Sequence, residues 1–254
     1  MKKIFNRFFA LILPIIFGLI ALQYTFFSVL SVRNEYKKVI TSSNDSFSEI
    51  NSEDTAWVRL YKEKTWLESR LKVAKSDSIS LSVNLKDSVI QLELKGVVLK
   101  STPIVNYKTS GFLNELPPDG YHLYFGKEVL TKSSLSTIEK VPLTVKKAPK
   151  DTLDYVSQSE VIDSLPNEEV HWLIKLENGI ELRIEGSARD SKAKRWRNKF
   201  WIKRDIYQTS AALKKTLLFK TPAYNPVISL VITKAEAKAI YRALPEKPYV
   251  NIRF

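Results

Sequence analysis

The chain contains no cysteine in 254 residues. That excludes a disulfide framework, a thiolate nucleophile and any cysteine-ligated metal. Histidine is almost as scarce, with only His122 and His171 present. Neither stands beside an identifiable carboxylate or cysteine partner, and two isolated histidines do not make a metal site. Glycine occurs only 7 times, and none of these forms a phosphate-binding loop or a dinucleotide fingerprint. No internal repeat is found, and no cofactor or metal is expected.

What remains is a globular composition with enough apolar and aromatic residues for a core, carried on a net charge of +13. Such a charge favours anionic partners such as nucleic acid, anionic lipid or an acidic envelope polymer, without bearing on fold. The length leaves room for one ordinary domain and accessory segments.

The N-terminus is a different material. From Phe8 to Val32 there are 25 consecutive positions without a charged residue, and a bilayer-spanning helix needs roughly 20. No A-x-A-like exit and no following cysteine are present, so the segment reads as an uncleaved signal anchor rather than a cleaved signal or a lipoprotein leader. Lys2, Lys3 and Arg7 precede it, and Arg33, Lys37 and Lys38 follow it. The balance of Lys and Arg is close, but a very short basic N-terminus favours N-terminus in. Residues 33–254 would then lie outside the cytoplasm, and a nucleic-acid partner is not expected.

The organisation predicted is a basic N-terminus and transmembrane anchor over 1–32, a polar juxtamembrane linker and helix over 33–76, and a β-rich domain over 77–254. In the second segment Trp57, Leu60, Tyr61, Lys64, Leu67 and Leu71 recur at helical spacing, with Asp54 or Thr55 as cap. From residue 77 the period changes to two. Ile79, Leu81, Val83 and Leu85 alternate with polar residues, as do Ile90, Leu92 and Leu94. A tight turn at Lys95-Gly96 would pair Leu94 with Val97 and Leu92 with Leu99. Residues 104–168 are harder to read: Pro117-Pro118-Asp119-Gly120 gives a turn signal, with short strands possible at 121–125 and 141–145.

A clearer hairpin follows in "VHWLIKLENGIELRIEGS". A two-residue Asn178-Gly179 loop would set Leu176 against Glu181, apolar against charged. A three-residue loop, Glu177-Asn178-Gly179 with Gly179 at positive φ, pairs Leu176 with Ile180, Ile174 with Leu182 and Trp172 with Ile184. The chain closes with an apolar run, Val227 to Ile232, suited to a strand covered on both faces. A Thr233–Glu236 capping box would then open a helix burying Ala237, Ile240, Tyr241 and Leu244. Pro245 stops it, and Val250, Ile252 and Phe254 alternate as a last strand.

Three of these stretches, in order, resemble the L,D-transpeptidase catalytic-domain family (YkuD-like), which cross-links bacterial peptidoglycan. The strand meander "ISLSVNLKDSVIQLELKGVVLKSTPI" resembles the family's opening. "NGIELRIEGS" stands where the family has a hairpin ending in Ile-His-Gly, and "SLVITKAEAKAIYRALPEKPYVNI" resembles the helix and closing strand after its Ser-His-Gly-Cys-Ile-Arg motif. The resemblance implies a mainly β fold with a few helices, an L,D-transpeptidase-like mixed β-sandwich behind the transmembrane helix. It also implies a chain without the family's chemistry. The catalytic cysteine position falls on Ser229, the arginine on Val231, and the preceding histidine and glycine on Val227 and Ile228. Upstream, Gly186 is retained but Glu185 replaces histidine. A serine hydroxyl without a positioned base is a poor nucleophile.

The other unusual stretch is "RDSKAKRWRNKFWIKRDIYQ". Lys194, Arg195, Trp196, Arg197 and Trp201 are candidate contacts for an anionic polymer or a sugar, against the alternative that the aromatics are core. Glu181 and Glu185 lie on one strand face about 13 Å apart, beyond the usual separation of a glycosidase acid and base, and are rejected as such a pair.

The reading is therefore a membrane-anchored envelope protein, a catalytically inactive transpeptidase-like module that binds peptidoglycan, an acidic polymer or another envelope protein. Ser229, Glu185 and Gly186 mark its relic groove. Two alternatives stand beside it: a serine acyltransferase or hydrolase using Ser229, which needs Glu185 or His171 as base, and a basic tether for anionic lipid or polymer.

Overall fold

The computed structural model describes residues 2–43, 55–140, 170–187 and 199–254. A long helix, α1 (Lys2–Ser43), leads to α2 (Thr55–Val73) and three strands, β1 (Ser80–Asn84), β2 (Val89–Leu94) and β3 (Val97–Pro103). Then come β4 (Asn106–Thr109), the short helices α3 (Gly111–Asn114) and α4 (Pro118–Phe125), and β5 (Val129–Ser136). The rest comprises β6 (Val170–Leu176), β7 (Glu181–Ser187), α5 (Lys199–Leu217), β8 (Val227–Thr233), α6 (Lys234–Ala243) and β9 (Tyr249–Arg253).

The fold is mixed α/β. The strands hydrogen-bond into one nine-stranded order, β3-β2-β1-β9-β5-β6-β7-β8-β4, rather than into two separate sheets. β5 joins the halves: Val129 and Leu130 pair with β9, and from Thr131 onward the strand pairs with β6 across a register shift. The last strand of the chain lies inside the sheet, parallel to β1 and antiparallel to β5.

The hairpin register follows from the period-two pattern. Ile174 faces Leu182 and Trp172 faces Ile184. Leu176 N–H donates to the Ile180 carbonyl at 2.8 Å, and Gly179 has φ 88°. A one-residue slip would turn the apolar set to the opposite face. Trp172, Ile174, Leu182, Ile184, Ile228 and Leu230 are consequently all at most 2 % exposed, each contributing about 1.5–3 kcal/mol of transfer free energy. Helix α6 covers this face with Ala237, Ile240 and Tyr241, and Trp172 Nε1–H donates to the Ala237 carbonyl at 3.1 Å. In β8 only Ile228, Leu230 and Ile232 are sealed; Val227, Ser229 and Val231 are half-buried, so its two faces are covered unequally.

Several expectations are corrected. Thr233 caps α6 by backbone conformation but without a side-chain hydrogen bond. Glu236 turns instead to β3, accepting from Thr102 Oγ1 at 3.0 Å and pairing with Lys100 at 2.8 Å. Between β2 and β3, Leu94 does face Val97, but a bulge at Leu92/Glu93 sets Leu92 against Lys100; Val97, Val98 and Leu99 remain exposed on the edge strand.

The Pro-Pro-Asp-Gly turn proves to be a helix start. Pro118 occupies the first turn of α4 and Asp119 follows it, where a missing N–H costs nothing and an acidic side chain suits the helix dipole. Residues 121–125 are therefore helical, and 141–145 lie outside the described residues. Helix α1 runs on to Ser43, so 33–43 are helix rather than linker. Helix α2 packs through Thr65, Trp66, Ser69 and Val73, leaving Leu60, Leu67 and Leu71 exposed. The Arg70 and Arg253 guanidiniums both lie over the indole of Trp66, and Arg70 pairs with buried Glu93 at 3.0 Å. These ties and the packing of Trp66 and Val73, not the leucine stripe, hold α2 to the domain.

The Ile12–Thr41 part of α1 is long and apolar enough to cross a membrane. Its far half packs on the domain: Gln23 donates to the Thr216 carbonyl at 2.8 Å, Ser31 to the Pro222 carbonyl at 2.8 Å, and Val39 is 1 % exposed.

Candidate functional site

The sheet face opposite α6 carries the polar residues. Residues paired across a ladder point to the same side, so the pairings define two rows. His171 of β6, Glu185 of β7 and Val231 of β8 form one; Leu173, Arg183, Ser229 and Lys108 of β4 form the next. Helix α5 lies over this face. Phe200 stacks on His171 at 6.2 Å, and Trp201 approaches it at 5.9 Å.

Between α5 and strands β4, β7 and β8 lies an open cleft of about 560 Å³, lined by Lys108, Arg183, Glu185, Trp201, Asp205 and Ser229 among others. Three residues singled out in the sequence, Ser229, Glu185 and Trp201, thus meet in one cleft. Lys194, Arg195, Trp196 and Arg197 lie outside the described residues. Gly186 has a packing reason for being glycine. A Cβ there would lie 2.9 Å from the Val170 carbonyl oxygen and 3.0 Å from Ala237 Cβ, so its role is to let the start of α6 sit on β7.

The chemistry of the cleft is set by an ion network that sequence reading missed. Glu181 is fully buried and receives Arg183 Nε at 2.7 Å, Arg204 at 3.1 Å and Gln208 Nε2 at 2.7 Å. Arg183 also pairs with Asp205 at 2.9 Å, and its guanidinium lies 5.4 Å from the centre of the Trp201 ring. Burial alone raises the Glu181 pKa, but the Arg183 and Arg204 guanidiniums outweigh it and hold the carboxyl below its ordinary value. Glu181 is therefore a structural anion rather than a proton shuttle. The period-two spacing of Glu181 and Arg183 was visible in the sequence, but their partners come from a helix some twenty residues on.

Ser229 is half-buried, and its hydroxyl makes no hydrogen bond among the described residues. Glu185 is opposite Val231, two residues along, which separates the Ser229 and Glu185 Cα positions by about 8 Å. His171 is one strand further away, opposite Glu185 and 4 % exposed beneath Phe200 and Trp201. The arrangement offers a hydroxyl, an indole and charges of both signs, without a base seated on the hydroxyl. His122, on α4, approaches Tyr61 at 6.3 Å, remote from this cleft in the fold. Among the described residues no group of three or more His, Asp or Glu is placed to hold a metal ion.

No protein family, curated protein or solved structure matches this chain.

Proposed function

We propose that the chain is a membrane-anchored extracytoplasmic binding module, with α1 as a single-pass anchor and the α5 cleft as its recognition site. The ligand class that fits is a peptide carrying both amine and carboxylate groups. The stem peptide of peptidoglycan, which the resemblance to L,D-transpeptidases implies, is the first candidate. One observation carries the reading: Ser229, Glu185 and Trp201 share a cleft in which the hydroxyl has no proton acceptor bonded among the described residues. General-base activation needs that acceptor within about 3 Å, whereas recognition needs only the hydroxyl, the mixed charges of Lys108, Glu185 and Asp205, and an aromatic wall. The anchor is supported by Ile15, Phe17, Leu19 and Leu22, each at least 61 % exposed on α1, an apolar surface that requires a cover.

The test is calorimetric titration of soluble stem peptide into the full chain held in nanodiscs. Saturable binding is expected, weakened about tenfold by Trp201→Ala, as for loss of an aromatic contact worth ~1.4 kcal/mol. Absence of binding would remove this ligand class. Binding that collapses steeply with salt would point instead to an acidic polymer held by net charge.

A further inference from the structure

The turn after α5 is built in an unusual way. Lys220 N–H donates to the Lys215 carbonyl and Phe219 N–H to the Thr216 carbonyl, both at 2.9 Å. Together they form the paired bonds of a Schellman helix stop. The residue that must take the left-handed conformation in that motif is usually glycine; here it is Phe219, with φ 55°. A bulky residue there is strained, and this one is also 78 % exposed, beside Leu217 at 47 % and Leu218 at 68 %. Strain and aromatic exposure at one position are both unfavourable in water. They are compatible with an environment that solvates the ring.

The position of the turn supplies that environment. Thr216 accepts the Gln23 side chain of α1, and the Phe219 ring lies 6.4 Å from Phe27. The uncharged run of α1 starts at Phe8. A hydrocarbon core about 30 Å thick is crossed in about 20 residues at 1.5 Å each, which sets its near edge close to Phe27. Leu217, Leu218 and Phe219 are thus level with that edge. Around them Lys214, Lys215 and Lys220 are exposed, and no Asp or Glu occurs between Asp205 and Glu236. Apolar side chains rimmed by lysines are the composition of an interfacial membrane anchor on anionic lipid.

We infer that Leu217-Leu218-Phe219 is a second membrane contact, a tip that enters the acyl boundary beside α1 while Lys214, Lys215 and Lys220 meet anionic headgroups. It rests on the reading that α1 crosses the bilayer. The tip fixes the domain's orientation to the membrane, and it gives Gln23, a polar side chain within the apolar run, its hydrogen-bond acceptor.

The absence of cysteine makes the test direct. The full chain is reconstituted into vesicles of phosphatidylcholine and phosphatidylglycerol, carrying one environment-sensitive fluorophore at Leu218→Cys, Phe17→Cys or Leu135→Cys. Position 218 is expected to be quenched by lipids bearing a shallow nitroxide and position 17 by lipids bearing a deep one, both shielded from aqueous iodide, and position 135 the reverse. If 17 is quenched but 218 behaves like 135, the tip is in water and the inference fails while the anchor stands. If 17 is also in water, the anchor reading fails and the tip with it. Phe219→Gly gives a second readout. It should raise the melting temperature in detergent and reduce lipid quenching at 218; a higher melting temperature with quenching unchanged would reduce Phe219 to an ordinary turn residue and overturn the inference.

Discussion

Arg183 of β7 stands directly opposite Ser229 of β8, yet its guanidinium is bonded to Glu181 and Asp205. A cation next to a serine hydroxyl is where an acyl-transfer enzyme would stabilise an oxyanion. Here that charge is already balanced and fixed by α5. The same bonds that position Arg183 hold α5 over the sheet and so shape the cleft.

Glu181→Gln should destabilise the domain by about 3 kcal/mol, because it leaves Arg183 and Arg204 without their buried anion. Urea unfolding of wild type and variant measures this directly. A change below about 1 kcal/mol would mean that the network does not hold α5.

The same carboxylate gives the acid limb of stability. Its pKa is lower folded than unfolded, so the stabilisation is present above the unfolded value, about 4.3, and is lost as pH falls through the folded value. Glu236, lowered chiefly by its hydrogen bond from Lys100, works in the same direction. Stability measured from pH 6 down to about pH 3 should fall less steeply in Glu181→Gln than in wild type.

Tyr124 sets an alkaline limb. Burial, then the nearby charge of Glu35 and the Tyr224 phenol, push its pKa up to about 12. The unfolded phenol ionises near 10, so stability is intact below about pH 10 and declines as pH rises toward the folded value. Tyr124→Phe should retain more of its neutral-pH stability in that window, read by circular dichroism against pH.

Gly186→Ala should cost about 1–3 kcal/mol by forcing α6 away from β7, since the added methyl meets the Val170 backbone and Ala237. Thermal unfolding checks it. A neutral substitution would show that the α6–β7 contact yields easily, and the packing account of this glycine would fall.

What the sequence made legible was whatever has a strong period and one sealed face. The β6–β7 hairpin was readable to the residue because a slip would expose Trp172 and Ile184. Helix α6 was readable from Ala237, Ile240 and Tyr241, but its capping box was not realised, because Lys100 and Thr102 of β3 compete for Glu236. Residues 106–125 were opaque because β4 and α3 are each 4 residues long, too short to display a period. The helical spacing in α2 did not say which face packs, because two apolar sets coexist on it; Trp66 and Val73 pack, and the leucines do not. In the cleft, Ser229, Glu185 and Trp201 were named in advance, whereas Lys108 and the Glu181 network depend on contacts between distant segments that no local pattern announces.

The claim that this cleft binds without reacting is tested most directly by intact mass. The full chain and Ser229→Ala are incubated in parallel with peptidoglycan stem peptides and measured whole. The account predicts unchanged mass for both, with binding detectable by calorimetry. An acyl adduct on the wild type that the alanine variant lacks would contradict it, and would establish Ser229 as a working nucleophile.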